Sequence, residues 1–222
     1  MKKLSVVLFT VLSCTLFAQT DDCKCFDGIG SASGDAPVLT FEFSNGQSIE
    51  VCGFVEEIYD ANKILVSEFN VFNCKTGDIL VEYGAVQTCL VQKGENELNI
   101  TEMLYLPTGE NWHWEEVKVG LQSITLKSDS LVVSEQISVY DPAKLSSTNV
   151  ELFIQELRKL KGSGNLENPE EIIGRLEVLA LSDYDEAFLI LMDFENYFSY
   201  LTDGAIREQW TDAIATVEWL KK

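Results

Sequence analysis

The middle of the chain alternates apolar and polar residues with a period of two. Phe41 and Phe43 alternate with polar neighbours, and Asn45-Gly46 follows directly. An Asn-Gly pair between alternating runs predicts a tight hairpin, because both residues tolerate a positive φ. Similar runs begin near residues 38 and 49 and cover 64–72, 79–83, 86–91, 98–106, 112–119, 122–127 and 131–140. Eight or nine short strands with turn residues between them predict an antiparallel β-sandwich or barrel-like domain over residues 37–141.

The period becomes helical after Asp141-Pro142. Thr148 and Glu151 have the spacing of a helix capping box, and apolar residues then recur every three or four positions over 150–160. Three further helix starts are expected at Pro169, Ser182-Asp183 and Thr202-Asp203-Gly204. Four helices with short connections predict an antiparallel bundle over residues 145–222, so the expected fold class is α+β.

The first eighteen residues have the three-part pattern of a secretory signal peptide. Residues 1–3 are basic at Lys2 and Lys3, residues 4–17 are mostly apolar, and the small residue Ala18 precedes a polar, acidic stretch. The run from Leu16 to Gln19 resembles the export signals of Gram-negative bacteria. The apolar run is shorter than the about 20 residues that a membrane span needs. We therefore expect cleavage after residue 18, export to the periplasm or the medium, and a flexible acidic lead-in over residues 19–36.

An alternative signal centres on Cys14. The run Val11-Leu12-Ser13-Cys14 is similar to lipoprotein signals, in which the Cys becomes the lipidated first residue. Apolar residues continue past Cys14, whereas lipoproteins usually turn polar at this point. A lipid anchor through Cys14 is therefore the alternative to a released protein.

The charge balance narrows the possible partners. The chain has 16 Lys and Arg against 36 Asp and Glu, a formal net charge of −20. DNA, RNA and anionic membranes are bound by basic faces, so a chain this acidic is expected to bind none of them. It has one His, and it carries no nucleotide-binding loop, no His-Glu-x-x-His and no Cys-x-x-Cys. We therefore expect no cofactor, no metal and no catalytic residue.

The cysteines indicate disulfide bonds. Five of the six remain after cleavage, and these are Cys23, Cys25, Cys52, Cys74 and Cys89. Cysteines in an exported chain encounter an oxidising compartment. Cys23 and Cys25 are too close in sequence to pair easily with each other. We expect Cys74 to pair with Cys89 and either Cys23 or Cys25 to pair with Cys52, with one thiol left over.

The segment around the single histidine is the strongest candidate for a binding site. On a strand, Trp112 and Trp114 would share one face, while His113 would point to the other. The two rings could form a platform for a sugar or a peptide, with Glu110 in the adjoining loop, or they could pack in the core. Because a sandwich core needs a filled face, we expect at least one of the two Trp to be buried and His113 to be exposed.

These patterns predict an exported, non-catalytic binding or interaction protein of the bacterial cell envelope. Its partner is expected to be a protein or another envelope ligand, including a basic one, and no transmembrane span is expected. One alternative is an acidic immunity or inhibitor protein that captures a basic partner through long-range attraction. A second alternative is a hydrolase that uses two of the many carboxylates.

Cleavage after Ala18 defines the N-terminus of the exported protein. Mass spectrometry of the protein from the periplasm or the medium should find Gln19, free or cyclised to pyroglutamate, as the first residue. A diacylated Cys14 in that position would contradict the expected cleavage.

Overall fold

The computed structural model describes residues 23–141 and 147–221 of the chain. The predicted signal peptide, the lipidation alternative at Cys14 and most of the predicted boundary between the β and helical parts lie outside these residues. So does the side chain of Thr148, the predicted helix cap. Within the described residues, one large antiparallel sheet is followed by five helices, which confirms the α+β class.

No helix in the described ranges is long and apolar enough to cross a membrane.

The sheet has eight strands. They are β1 Leu39–Glu42, β2 Ser48–Asp60, β3 Lys63–Asn73, β4 Ile79–Lys93, β5 Glu97–Leu106, β6 Glu115–Lys127, β7 Ser130–Val133 and β8 Ile137–Ser138. β1 to β7 follow one another as an antiparallel meander, and β8 pairs with β6 beside β7. The predicted hairpin at Asn45-Gly46 joins β1 to β2, and Gly46 has a φ of +79°.

The sheet curls but does not close. The Gln47 amide after the first hairpin turn donates a hydrogen bond of 2.8 Å to the carbonyl of Asp129 in the turn between β6 and β7. In the described residues β1 and β7 are not paired, so the barrel alternative is wrong. Apolar residues from β1 to β7 pack on the inner face around one core, and the largest fully buried ones include Phe43, Phe69, Ile49, Leu98, Ile100 and Ile124.

Two breaks predicted inside strands are bulges instead. β4 continues through Gly84. On either side of this point Tyr83 pairs with Phe69 and Thr88 pairs with Ser67, so four residues of β4, 84–87, lie opposite the single residue Glu68 of β3. β6 continues through Gly120, with an extra residue at Val119. A bulge bends a strand without ending it, so a glycine in such a run did not mark a turn.

The lead-in is anchored to the sheet from Cys23 onward. The side-chain amide of Asn70 donates a hydrogen bond of 2.9 Å to the carbonyl of Ile29, which holds the lead-in against β3. Gly30, at a φ of +67°, lies against the backbone of Glu68, where a Cβ would clash. Two disulfides and close backbone packing therefore hold residues 23–36 against the sheet, whereas the sequence predicted a flexible segment.

The disulfides join Cys23 to Cys74 and Cys25 to Cys52, and Cys89 is free and buried. The Cys25–Cys52 pair is one of the two alternatives expected, but the Cys74–Cys89 pair is wrong. Cys89 lies opposite Val66, eight residues along β3 from Cys74. At about 3.3 Å per residue this separation is roughly 26 Å, far beyond disulfide reach. Two disulfides indicate an oxidising, exported environment.

The five helices are α1 Ser147–Leu160, α2 Pro169–Leu181, α3 Asp185–Met192, α4 Phe194–Phe198 and α5 Gly204–Leu220. The prediction of four helices is wrong because its third helix is interrupted at Asp193, where φ is −117° and ψ is 29°. The Asp193 carboxylate accepts a hydrogen bond of 2.7 Å from the side chain of Asn196, an alternative to regular helix geometry. Phe194 and Phe198 of α4, which follows the interruption, are both fully buried.

The helices and the sheet share a core. α2 lies between α3, α5 and β5, and Leu106 at the end of β5 is buried among helical residues. Leu157, Leu176 and Val217 belong to the same cluster. Burying an apolar side chain across this junction stabilises both parts at once.

Leu106→Ala tests whether the two parts depend on each other. Removing a buried Leu side chain typically costs about 2–5 kcal/mol of unfolding free energy, and we expect urea unfolding of both parts to shift together. The control is Leu201→Ala, because the side chain of Leu201 is 77 % exposed. A loss at Leu106 no larger than at Leu201 would contradict the shared core.

Candidate functional site

The segment with the two tryptophans is not a strand. Glu110–Trp112 is a 3-10 turn, and β6 begins only at Glu115. Asn111 and Trp112 both have left-handed backbone angles, with φ of 54° and 63°. Alternation therefore does not apply, and the prediction that both Trp rings share one strand face is wrong.

Trp112 packs against the helices. Its ring lies 5.4 Å from the ring of Phe153 on α1, and the Arg175 guanidinium on α2 lies 5.3 Å from the Trp112 ring centre. Arg175 also pairs with Glu171 at 3.2 Å. Trp112 is half-buried and fixes α1 and α2 to the end of the sheet.

Trp114 packs between the sheet and α2. Its ring stacks on Tyr105 of β5 at 5.6 Å and 28°. On the other side it meets α2 at Gly174, where an added Cβ would lie 2.8 Å from the Trp114 ring. Gly174 is therefore required by close packing, and Trp114 forms one wall of a cleft.

An acidic cleft of about 310 Å³ lies at this junction. We define it by its lining residues, which are Leu104, Tyr105, Leu106, Trp114, Glu177, Ala205, Glu208, Gln209, Asp212, Ala213 and Thr216. The residues from α5 recur every three or four positions, so they form one face of that helix. Three lining residues are acidic and two are aromatic, while none is basic.

Glu177 is the unusual group in the acidic cleft. Its side chain is only 7 % exposed, although it projects from α2 towards the cleft. Burial, with a smaller contribution from the negative charge of Asp212, raises the pKa of Glu177 to about 8. Glu177 is therefore a neutral acid at pH 7, and a cation entering the cleft would favour its ionised form.

The predicted binding residues do not come together. Trp114 lines the acidic cleft, whereas Trp112 lies in the packed contact with α1 and α2. His113 is exposed, as expected, and its backbone N–H donates to the carbonyl of Glu110 at 3.2 Å in the same turn. His113 and Glu110 do not line the cleft.

One acidic residue of the cleft, Glu177, can be recognised as unusual from the sequence. Ile173, Leu176 and Ala180 form the apolar stripe of α2, and Glu177 falls on that same side. A carboxyl group on the buried face of a helix is a candidate functional group. The neighbours of Glu177 on β5 and α5 depend on how the helices pack against the sheet. The spacing of residues within one helix does not reveal that packing.

The arrangement favours a positively charged ligand. Carboxylates attract a cation, and the faces of Trp114 and Tyr105 add cation–π attraction. The volume of the acidic cleft is near the lower end of the range for small-molecule sites. The cleft therefore has room for an amine or a guanidinium group on a short side chain.

Comparison with family models, with curated proteins and with solved structures finds no match to this chain.

The pKa of Glu177 predicts a pH dependence of stability. Because the folded chain holds this proton to about pH 8, against a usual value of 4.5, the unfolding free energy should fall as pH rises between these values. This group alone contributes a slope of up to about 1.4 kcal/mol per pH unit. Glu177→Gln should flatten the slope in urea unfolding measured from pH 5 to pH 8.

The matched control is Glu208→Gln, because Glu208 lines the same cleft but is exposed. It should keep the wild-type slope. Identical slopes for wild type and Glu177→Gln would show that Glu177 is not held neutral.

Proposed function

We propose that this chain is an exported, non-catalytic binding protein of the bacterial cell envelope whose ligand presents a cationic group. The observation that carries the proposal is the acidic cleft, where three carboxyl groups and two aromatic rings converge without a basic residue. A Lys or Arg side chain of a partner protein has the charge and the size for this cleft. The curled sheet, acting as a sandwich-like scaffold, and the helices, acting as an antiparallel bundle, would each supply one wall.

The surface beside the cleft has the same character. Glu116 on β6 lies opposite Tyr105 in the β5–β6 pairing. A hydrogen bond with Glu57, partial burial and the charges of Glu57 and Glu116 together raise the pKa of Tyr59 on β2. Acidic and aromatic residues thus lie on β2 and β6 as well as in the cleft. A basic partner with apolar residues could contact more than the cleft alone.

The net charge supports the same class of partner. At −20, the chain attracts a basic protein over distances comparable to the Debye length and speeds their encounter. An immunity or inhibitor protein that neutralises a basic toxin or enzyme is one form that this binding would take. Its affinity would fall as salt is added.

A carboxylate-based hydrolase is the second candidate, and the pair Glu177 and Asp212 favours it. Glu177 is buried with a pKa of about 8, whereas Asp212 is exposed at the cleft. General acid–base hydrolysis of a glycoside requires one carboxyl group that holds its proton and a second carboxyl group nearby in a different environment. Turnover of aryl glycosides that disappears in a folded Glu177→Gln variant would favour this candidate over the binding proposal.

A basic peptide of alternating Lys and Leu residues tests the binding proposal. We expect it to bind with a change in Trp fluorescence, because Trp114 lines the acidic cleft. Asp212→Asn should weaken binding about tenfold or more, since a hydrogen bond to a charged group contributes about 1.5–3 kcal/mol. The affinity should rise as pH increases through 8, where Glu177 loses its proton. Calorimetry at several pH values measures both effects.

Glu218→Gln is the control for general attraction. Glu218 is an exposed carboxylate on the same helix, α5, but it does not line the cleft. It should change the affinity much less than Asp212→Asn. Equal losses of affinity in the two variants would mean that net charge alone holds the peptide. Failure of the wild-type chain to bind the peptide would contradict the proposal.

A further inference from the structure

The two disulfides differ in accessibility. Cys25 and Cys52 are 2 % and 0 % exposed, so an external thiol cannot reach them in the folded chain. Cys23 and Cys74 are only half-buried, and both line an open cleft of about 1200 Å³ beside the β1–β2 turn. The backbone N–H of Cys74 donates to the carbonyl of Ser48 at 3.0 Å, which holds this disulfide beside β2. One disulfide is thus enclosed and the other is open.

A buried carboxyl group lies beside the open disulfide. Glu50 on β2 is 0 % exposed, and neither of its carboxyl oxygens has a hydrogen-bond partner among the described residues. One of these oxygens and the sulfur atoms of Cys23 and Cys74 all lie within 4.8 Å of one another. Burial raises the pKa of Glu50 and so favours its protonated form, and neither carboxyl oxygen has a partner that would stabilise a charge.

A buried carboxyl group without a hydrogen-bond partner, such as that of Glu50, destabilises the folded chain. A buried polar atom without a partner typically loses about 1–3 kcal/mol relative to its hydration in water. Its position next to two sulfur atoms gives it a chemical use, because a disulfide that is reduced must receive a proton at each sulfur. Rotation about the Cα–Cβ bonds after reduction can bring either freed sulfur closer to Glu50.

The charges at the open disulfide favour an approaching thiolate. Lys24 and Lys75 each follow one of the two cysteines in sequence, and both line the same cleft. Nearby cations stabilise thiolates, which are the attacking species in disulfide exchange. Glu42 and Asp129 also line this cleft, so it is mixed in charge and differs from the acidic cleft.

We propose that Cys23–Cys74 is a reactive disulfide that exchanges with an external dithiol, and that Glu50 is the proton donor and acceptor for this exchange. One thiol of the dithiol loses its proton to water, its thiolate attacks one sulfur, the Cys23–Cys74 bond breaks, and a mixed disulfide forms. The leaving thiolate takes the proton of Glu50. The second thiol of the dithiol then gives its proton to Glu50 and displaces the other cysteine, whose thiolate is protonated by water.

The step balances with the dithiol as reductant. The dithiol loses two electrons and two protons and becomes a cyclic disulfide, while Cys23 and Cys74 gain them as two thiols. Glu50 ends in its initial state. The buried pair Cys25–Cys52 keeps the lead-in attached to β2 throughout, so the exchange does not require unfolding.

Reduction of the folded chain by dithiothreitol, followed by alkylation and peptide mapping, tests the proposal. We expect Cys23 and Cys74 to be alkylated at least tenfold faster than Cys25 and Cys52. Glu50→Gln keeps the shape but removes the acid, and it should slow reduction of the Cys23–Cys74 bond about tenfold or more, as expected for loss of general acid catalysis. Glu42→Gln, a carboxylate of the same cleft, should stay within twofold of wild type.

Two results would overturn the proposal. Equal rates for the two disulfides would show that Cys23–Cys74 is not specially reactive, and an unchanged rate in Glu50→Gln would remove the role of Glu50. If Glu50→Gln does not fold, the wild-type rate in D₂O decides the matter. A solvent isotope effect larger than that of oxidised glutathione supports proton transfer by Glu50, and an equal effect contradicts it.

Discussion

The docking of α2 against the end of the sheet is the contact on which the rest of this structure depends. Gly174 lets the ring of Trp114 approach the helix closely, and Leu106 inserts its side chain into the helical core. Trp112 adds α1 through its contact with Phe153. A larger residue at 174 would force the ring away, and the acidic cleft would then lose one of its walls.

The same contact explains why a carboxyl group is buried. Glu177 lies one turn beyond Gly174 on α2, so the packing that admits Trp114 also covers Glu177. A neutral acid next to two aromatic rings and two further carboxyl groups has no ionic partner in the cleft. In our proposal the ligand supplies the missing positive charge, and its binding would release the proton of Glu177.

The sequence predicted the elements better than their contacts. Turn chemistry located the first hairpin at Asn45-Gly46, and helical spacing located α2 and α5, because these signals are local. The bulges at residues 84–87 and Val119 were missed, since a glycine in a strand looks the same in a turn and in a bulge. Left-handed angles at Asn111 and Trp112 could not be inferred from residue type, so the two Trp were assigned to a strand.

The candidate sites were missed for a related reason. Glu50 lies between Ile49 and Val51, which belong to the inner core, so it is on the outer face of β2, where the Cys25–Cys52 disulfide holds the lead-in. Glu177 is a charged residue within the apolar stripe of α2, but its neighbours in the cleft come from β5 and α5. Both groups are functional candidates because distant segments enclose them, and the enclosure is a property of tertiary packing.

The protonation state of Glu177 during binding shows whether a cation enters the acidic cleft. In a chain with ¹³C-labelled Glu, the Glu177 carboxyl signal, identified by its absence from Glu177→Gln, can be followed at pH 7 while N-acetyl-lysine methylamide is added. We expect the signal to shift from the protonated to the ionised position and to saturate with the ligand. A Glu177 signal that does not change while the ligand binds would place the binding site outside the acidic cleft.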